Sequence, residues 1–199
     1  MATIYLIGGA PRVGKSVAAK ALAEKTGFQL ISTDDLDTFP CPGFSGTSSE
    51  NTLSPDERVK LQEVSAQSLE PELDRRIHEA MEHHQNLIME GVHFLPSHVK
   101  QLIKKYGAEK IHAIFLGSKN LTRIIDGMDK NTNPNDWLQK ASGVVRRQVG
   151  EFVIASSQRI HERAERDRLP YYERTDDFNQ DIKNIIESLT GPRGLDSKT

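Results

Sequence analysis

The feature that most constrains this chain is a run of eight residues near its start, Gly9 to Ser16, which ends in Gly-Lys-Ser. An apolar segment, Ile4 to Ile7, precedes the run, and a segment with apolar residues at helical spacing, Ser16 to Thr26, follows it. The order strand, glycine-rich turn, helix predicts the first unit of an α/β fold. Glycine, four residues and then Gly-Lys-Ser would arise by accident in about one in a hundred chains of this length, so the added context makes accident a poor explanation.

The chemistry of this run indicates that it binds the phosphates of a nucleotide. Gly9 and Gly14 permit backbone angles that turn successive N–H groups towards one point, and the following helix adds the positive end of its dipole. Lys15 is placed to reach the outer phosphates and Ser16 to ligate Mg²⁺. Arg12 is expected to point outward, and we assign it no separate role. The predicted contacts to the nucleotide are Gly9, Ala10, Pro11, Arg12, Val13, Gly14, Lys15, Ser16 and Val17.

Strand-like and helix-like segments alternate along the rest of the chain, which predicts a mostly parallel sheet with helices on both faces. Further strands are predicted at 28–31, 86–90, 110–116 and 169–173. Helices are predicted at 54–84 with a break at Pro71, 96–106, 118–129 with Ser118 as its cap, 137–168 and 175–189. No linker divides the pattern, so residues 1–190 are predicted to form one domain, followed by a disordered tail at 191–199.

Composition and charge exclude several functional classes. The net charge of −2 offers no basic surplus for an obligate nucleic-acid partner. No apolar run is long enough for a membrane span or a signal peptide, so we expect no membrane partner. The single cysteine, Cys41, lies in a Pro- and Gly-rich stretch and is consistent with a cytoplasmic protein. The base-reading sequence Asn-Lys-x-Asp of guanine-nucleotide switches is missing, which favours ATP over GTP.

Three segments resemble the small P-loop kinases of metabolites and nucleotides, and among these the 2-phosphoglycerate kinase-like and zeta-toxin-like group. The segments are 9–16, 30–36 and 88–96, with a weaker match at 146–172, and the resemblance extends over most of residues 3–190. It implies an α/β P-loop NTPase fold, a three-layer sandwich whose five-stranded parallel sheet has the order 2-3-1-4-5. It also implies a substrate-binding insertion at about 37–85, a helical lid at about 123–150, and ATP and Mg²⁺ as cofactors.

Two carboxylates, Asp34 and Glu90, lie at or just beyond the ends of predicted strands, and the resemblance places these strands near the phosphate loop. The resemblance implies that Asp34 takes or orients the acceptor hydroxyl, while Asp35 begins the next helix. The structural alternative for Asp34 is an ordinary helix cap. Glu90 ends an apolar strand, where an unpaired charge is costly, so it is predicted to face the site. There it would bind Mg²⁺ through water, together with Ser16, or orient the acceptor. His93 is open between a substrate contact and a structural role.

Positive charge for the transferring phosphoryl group is expected from arginines of the lid, because a kinase without a partner protein must supply its own. The resemblance favours Arg123 and Arg147, with Arg146 as a neighbouring candidate. The alternative is that these side chains belong to solvated helix faces, as expected for Arg159, Arg163, Arg166 and Arg168. The predicted catalytic set is therefore Lys15, Asp34, Arg123 and Arg147.

These features together favour a Mg²⁺-dependent kinase that transfers the γ-phosphate of ATP to a hydroxyl or a phosphate of a small metabolite. Two alternatives stay open. One is a nucleotide-dependent regulatory or binding module without a small-molecule acceptor. The other is a toxin-like kinase of a nucleotide sugar. The sequence indicates neither the identity of the phosphoryl acceptor nor the oligomeric state.

Overall fold

Five parallel strands form the centre of the computed structural model, which describes residues 2–36, 53–130 and 136–191. The strands are β1 (Ile4–Gly9), β2 (Gln29–Ser32), β3 (Leu87–Glu90), β4 (Ile111–Gly117) and β5 (Tyr171–Glu173). Their spatial order is β2-β3-β1-β4-β5, and all neighbouring pairs are parallel. This is the strand order that the resemblance implies, so the predicted fold class is confirmed.

The register of the sheet brings the carboxyl ends of the strands to one edge. β1 lies in the middle and is buried throughout, with Ile7 opposite Glu90 on one side and Ile114 on the other. Ser32 at the end of β2 also lies opposite Glu90. Because ligands of open α/β sheets bind beyond the carboxyl ends of the strands, this edge is where a site is expected.

Helices cover both faces of the sheet, as predicted. They are α1 (Lys15–Thr26), α2 (Pro55–Glu82), α3 (Pro96–Tyr106), α4 (Leu121–Asp129), α5 (Gly143–Asp167) and α6 (Phe178–Thr190). α1 and α6 pack against each other on one face, while α3 and α5 cover the other, with α2 and α4 packed on α5. The predicted lid region contains α4, a short 3-10 helix at Trp137–Lys140 and the start of α5.

Two helix boundaries differ from the sequence prediction. α2 runs through Pro71 without the predicted break. Its buried residues lie on both sides of the proline, so tertiary packing offsets the lost backbone hydrogen bond. Ser118 does not cap α4. The Asn120 side chain caps that helix by accepting from the backbone N–H of Arg123 at 3.0 Å, whereas the N–H of Ser118 donates to the Ser157 hydroxyl.

Some sequence predictions lie outside the described residues. These are residues 37–52 of the predicted insertion, which include Cys41, residues 131–135 of the predicted lid and residues 192–199 of the predicted tail. Among the residues that the structure does describe, no helix has the length and apolar character needed to cross a membrane.

Candidate active site

The backbone of the phosphate loop between β1 and α1 has the conformation for which its glycines were singled out. Gly9 has a φ of +134°, and a Cβ atom there would lie 2.2 Å from the carbonyl oxygen of Leu116. Gly14 has a φ of +89° and occupies the N-cap position of α1. Because glycine has no side chain with which to cap the helix, Gly14 leaves the first N–H groups of α1 for an anionic ligand.

Two arginines hold this loop from outside. Arg12, a non-glycine residue with a φ of +62°, donates to both carboxylate oxygens of Asp136. Arg174, which follows β5, donates to the carbonyl oxygen of Val13. Its own guanidinium is fixed by the buried carboxylate of Asp181, which accepts from Arg174 Nε at 2.8 Å. The side chain of Arg12 therefore does point away from the loop, as predicted, and it ends in an ion pair.

Asp181 is a buried carboxylate surrounded by hydrogen-bond donors. It accepts hydrogen bonds from the hydroxyls of Tyr172 and Thr175, from the backbone N–H of Thr175 and from Arg174. Burial by itself would raise the pKa of Asp181, but these hydrogen bonds outweigh burial and lower the pKa below its ordinary value. The carboxylate therefore stays ionised and anchors Arg174 against the loop.

Lys15 lies over the phosphate loop rather than in solvent. Its side chain is buried, and its ammonium donates to the carbonyl oxygen of Ala10 at 2.6 Å. The ammonium therefore lies against the backbone of the loop, and its contact with the outer phosphates stays a prediction.

A hydroxyl–carboxylate cluster lies at the start of α1. The hydroxyls of Ser16 and Ser32 both donate to Oε1 of Glu90, at 3.0 Å and 2.9 Å. Glu90 is only 4% exposed, so these two bonds satisfy the charge that the sequence predicted to face the site. Ser32 was missed at the sequence level, because one serine at a strand end carries no distinctive pattern.

The donor atoms of this cluster fit Mg²⁺. All are oxygens, and Mg²⁺ is commonly held by one or two protein groups together with phosphate oxygens and water. Within 2–36, 53–130 and 136–191 there is no group of three or more His, Cys, Asp or Glu side chains that would hold a metal by themselves. A magnesium ion here would therefore need further oxygens, from water or from the phosphates of a bound nucleotide.

Asp34 lies in the same edge of the sheet, in a 3-10 turn at Thr33–Asp35. The hydroxyl of Ser32 accepts from the backbone N–H of Asp34 at 3.4 Å, so one serine contacts both Asp34 and Glu90. The side chains of Asp34 and Asp35 are exposed. His93, by contrast, is 3% exposed, and its Nδ1 is hydrogen-bonded to the hydroxyl of Thr33 at 2.8 Å.

The predicted lid arginines are both engaged elsewhere. Arg123 donates to the carbonyl oxygen of Arg174 at 2.6 Å and pairs with Asp176. Arg147 is 70% exposed and pairs with Glu151 one helical turn further along α5. Within the described part of the chain, neither arginine pairs with the phosphate loop, so their catalytic role stays a prediction. Arg174, which does contact the loop, was missed, although its place directly after the predicted last strand could have marked it.

A buried strand, a glycine-rich turn with Lys15 and Ser16, and a carboxylate on the neighbouring strand define a P-loop nucleotide-binding protein. The chain belongs to the isopentenyl transferase family, whose family model matches residues 2–126. This family and the fold together indicate a nucleotide-dependent transferase.

Two solved structures of a deoxyadenosine kinase have the same fold. Deoxyadenosine kinase from M. mycoides with the products dCMP and dCDP is 12% identical, with a TM-score of 0.52 over 94% of this chain and 98% of that chain. The same kinase with dATP bound is 14% identical, with a TM-score of 0.50 and the same coverage. At this identity the likeness concerns the fold alone. The comparison with curated proteins found no significant match. The narrower resemblance to the 2-phosphoglycerate kinase-like and zeta-toxin-like group is not confirmed.

Proposed function

We propose that this protein is an ATP-dependent kinase that transfers the γ-phosphate to a hydroxyl or phosphate group of a small metabolite. The observation that carries the proposal is the hydrogen-bonded series Ser16, Glu90, Ser32 and Asp34. It joins the residue expected at the metal to the backbone of Asp34, whose carboxylate is expected at the acceptor. A transfer reaction needs donor and acceptor to be held in one geometry, and this series supplies the connection.

On the donor side, the amides between Gly9 and Ser16 would hold the phosphates, with Lys15 at the outer ones. Ser16 would ligate Mg²⁺, and Glu90 would hold a water of its coordination shell. The ion, when bound, neutralises charge on the transferring phosphoryl group. We expect the contacts to the nucleotide to extend to Val17, the next residue of α1, which is 47% exposed.

On the acceptor side, Asp34 would accept the proton of the attacking hydroxyl. The acceptor oxygen bonds to the γ-phosphorus while the bond between that phosphorus and the bridging oxygen breaks, and ADP leaves. The exposed position of Asp34 at the edge of the sheet supports this role, since an acceptor must be able to reach it. We expect the acceptor to be held by the insertion at 37–85 and the reaction to occur in the cytoplasm.

Arg147 is the better candidate for a mobile lid residue. Its ion pair with Glu151 is solvent-exposed, and such pairs are worth only about 0.5 kcal/mol, so little opposes its movement. Arg123 is tied to a backbone carbonyl and to Asp176, which favours a fixed role beside Arg174. In the proposal Arg147 neutralises developing charge after the lid closes, and Arg123 acts from its present place.

The test is acceptor-dependent release of ADP from ATP and Mg²⁺, with sugar acids, phosphorylated metabolites, nucleosides and nucleotide sugars as acceptors. Lys15→Ala and Asp34→Asn should each lower kcat by at least about a hundredfold. Nucleotide affinity should fall in Lys15→Ala and persist in Asp34→Asn. An acceptor that both variants phosphorylate as fast as the wild-type protein does would contradict the assignment. Stimulation by a nucleotide sugar would identify the toxin-like variant of this function.

A second function is favoured by the family match, namely transfer of an isopentenyl group to a nucleotide. The phosphate loop would then hold the diphosphate of the prenyl donor. An amine nitrogen of the acceptor would bond to the first prenyl carbon, and diphosphate would leave. The discriminating measurement is the product: diphosphate and a prenylated nucleotide from dimethylallyl diphosphate, against ADP and a phosphorylated acceptor from ATP. ATP-dependent capture of a protein partner without either product would instead favour the regulatory module.

A further inference from the structure

Two side-chain hydrogen bonds join β2 and β3 at their carboxyl ends, one between the last residues of the strands and one between the turns that follow them. Ser32 donates to Glu90, and one residue further along the hydroxyl of Thr33 is bonded to Nδ1 of His93 at 2.8 Å. Thr33 is fully buried and His93 is 3% exposed. The second bond is therefore shielded from solvent, although the next residue, Asp34, is exposed.

Gly91 makes the contact between the two turns close. Its φ is +156°, and a Cβ atom at this position would lie 1.6 Å from the hydroxyl oxygen of Thr33. Thr33 therefore packs directly against the main chain that leads from Glu90 to His93. Any side chain at position 91 would push the two turns apart.

A polar pair at this place has an effect that apolar packing would not have. A valine and a phenylalanine could fill similar space, but they would fix no direction between the turns, whereas a hydrogen bond does. The backbone carbonyl of Thr33 accepts from the N–H of Leu36, so the whole 3-10 turn that carries Asp34 moves with Thr33.

We propose that Thr33 and His93 are positioning residues that orient the carboxylate of Asp34 relative to Glu90. The inference rests on the proposed function, in which Asp34 takes the acceptor proton. Both residues are buried, so this role requires no contact between them and a ligand. They act by holding the turn after β2 against the turn after β3. A displacement of about 1 Å at a catalytic group lowers the rate about a hundredfold, so loss of this bond should be visible in kcat.

The experiment compares Thr33→Val, which removes the hydroxyl and keeps the shape, with Thr33→Ser, which keeps the hydroxyl. Thr33→Val should lower kcat between about tenfold and a hundredfold and leave the KM for ATP within about twofold. Thr33→Ser should retain most of kcat. His93→Ala should resemble Thr33→Val, and His93→Asn should recover part of the rate, because its amide reaches the position of Nδ1.

The matched control is Ser156→Ala. Ser156 is also a buried hydroxyl, and it donates to Oε1 of Gln62 at 3.1 Å between α5 and α2. Its loss should lower stability about as much as loss of the Thr33 hydroxyl would, while kcat stays unchanged. Equal losses of kcat in Ser156→Ala and Thr33→Val would overturn the inference.

A second measurement does not depend on activity. Hydrogen exchange of the amides of Asp34 and Leu36 should accelerate at least about tenfold in Thr33→Val, while that of Ala18 in α1 stays unchanged. Unchanged exchange at Asp34 and Leu36 would overturn the positioning role even if no acceptor is found. Conversely, wild-type protein that transfers no phosphate to any acceptor removes the proposed function, and exchange still decides whether the bond holds the turn.

Discussion

Arg12 and Asp136 form a bidentate ion pair that connects the phosphate loop to the segment before α5. Both terminal guanidinium nitrogens of Arg12 donate to the carboxylate of Asp136, whose side chain is 4% exposed. The same carboxylate accepts from the backbone N–H of Leu138 at 3.1 Å, so it also caps the short 3-10 helix. The pair therefore couples the conformation of the loop to the middle of the predicted lid.

We expect Arg12→Ala to weaken binding of ATP about threefold to tenfold, because the left-handed conformation at position 12 loses its external support. Asp136→Asn should have a similar effect. The double variant should be less than additive, with a coupling of about 1 kcal/mol. Calorimetric titration with ATP and Mg²⁺ measures all four proteins. Fully additive losses would show that the ion pair does not act on the loop.

Gly9→Ala should strongly destabilise the protein. Its Cβ would lie 2.2 Å from a backbone oxygen of β4, which cannot move as a flexible side chain would. We expect a loss of about 3 kcal/mol or more in the free energy of unfolding, measured with urea. The matched control is Gly127→Ala in α4, where the added methyl group meets open space. That change should stabilise the protein by about 0.5 kcal/mol or more, and a loss of similar size in both variants would contradict the explanation.

Asp181→Asn should make stability less dependent on pH. The folded pKa of Asp181 is lowered, so its stabilising effect is complete above the unfolded pKa and is lost as pH falls through the folded pKa. At pH 7 the variant should lose about 3 kcal/mol, because Arg174 stays buried without its carboxylate. The difference from wild type should shrink below about pH 3.9. Urea denaturation between pH 7 and pH 2.5 measures this difference in the free energy of unfolding.

The control for that series is Asp176→Asn. Asp176 pairs with Arg123, but its side chain is 89% exposed, so its loss should cost less than about 1 kcal/mol at any pH. A difference between Asp181→Asn and wild type that stays constant down to pH 2.5 would show that the ionised carboxylate is not what stabilises the fold.

Arg147→Ala should lower kcat at least tenfold with little change in stability, because its ion pair with Glu151 is exposed and the proposed charge is needed only in the transition state. Arg75→Ala is the matched control, since Arg75 is also an exposed helical arginine, paired with Glu72 and Glu79 on α2. Steady-state kinetics with the acceptor that the ADP assay identifies distinguishes them. Equal rates in the two variants would remove Arg147 from the proposed mechanism.

Much of the fold was accessible from the sequence because it depends on local patterns. The run from Gly9 to Ser16, the alternation of strands and helices and the capping box formed by Ser54 and Glu57 each involve neighbours within a few residues. The strand order came from the resemblance, since periodicity indicated only α/β. The predicted helix break at Pro71 was wrong, because tertiary packing on both sides of the proline keeps α2 continuous.

The candidate site was predicted in its separate parts but not in its connections. The sequence predicts the turns and strand ends that carry Lys15, Ser16, Asp34 and Glu90. It contains no pattern that predicts the partners of these residues. Arg174 meets Val13 across 161 positions of sequence, and Arg12 meets Asp136 across 124. Neither Ser32 nor the pair of Thr33 with His93 belongs to a recurring spacing.

The sequence by itself determined the residues that can bind phosphate, because the angles available to glycine and the charge of lysine are properties of those residues. Only the tertiary structure decided which side chains hold them in place. Hydrogen bonds between distant segments form only when the sheet brings the strand ends together. Periodicity along the chain reports local structure, so it does not show which distant side chains will be in contact.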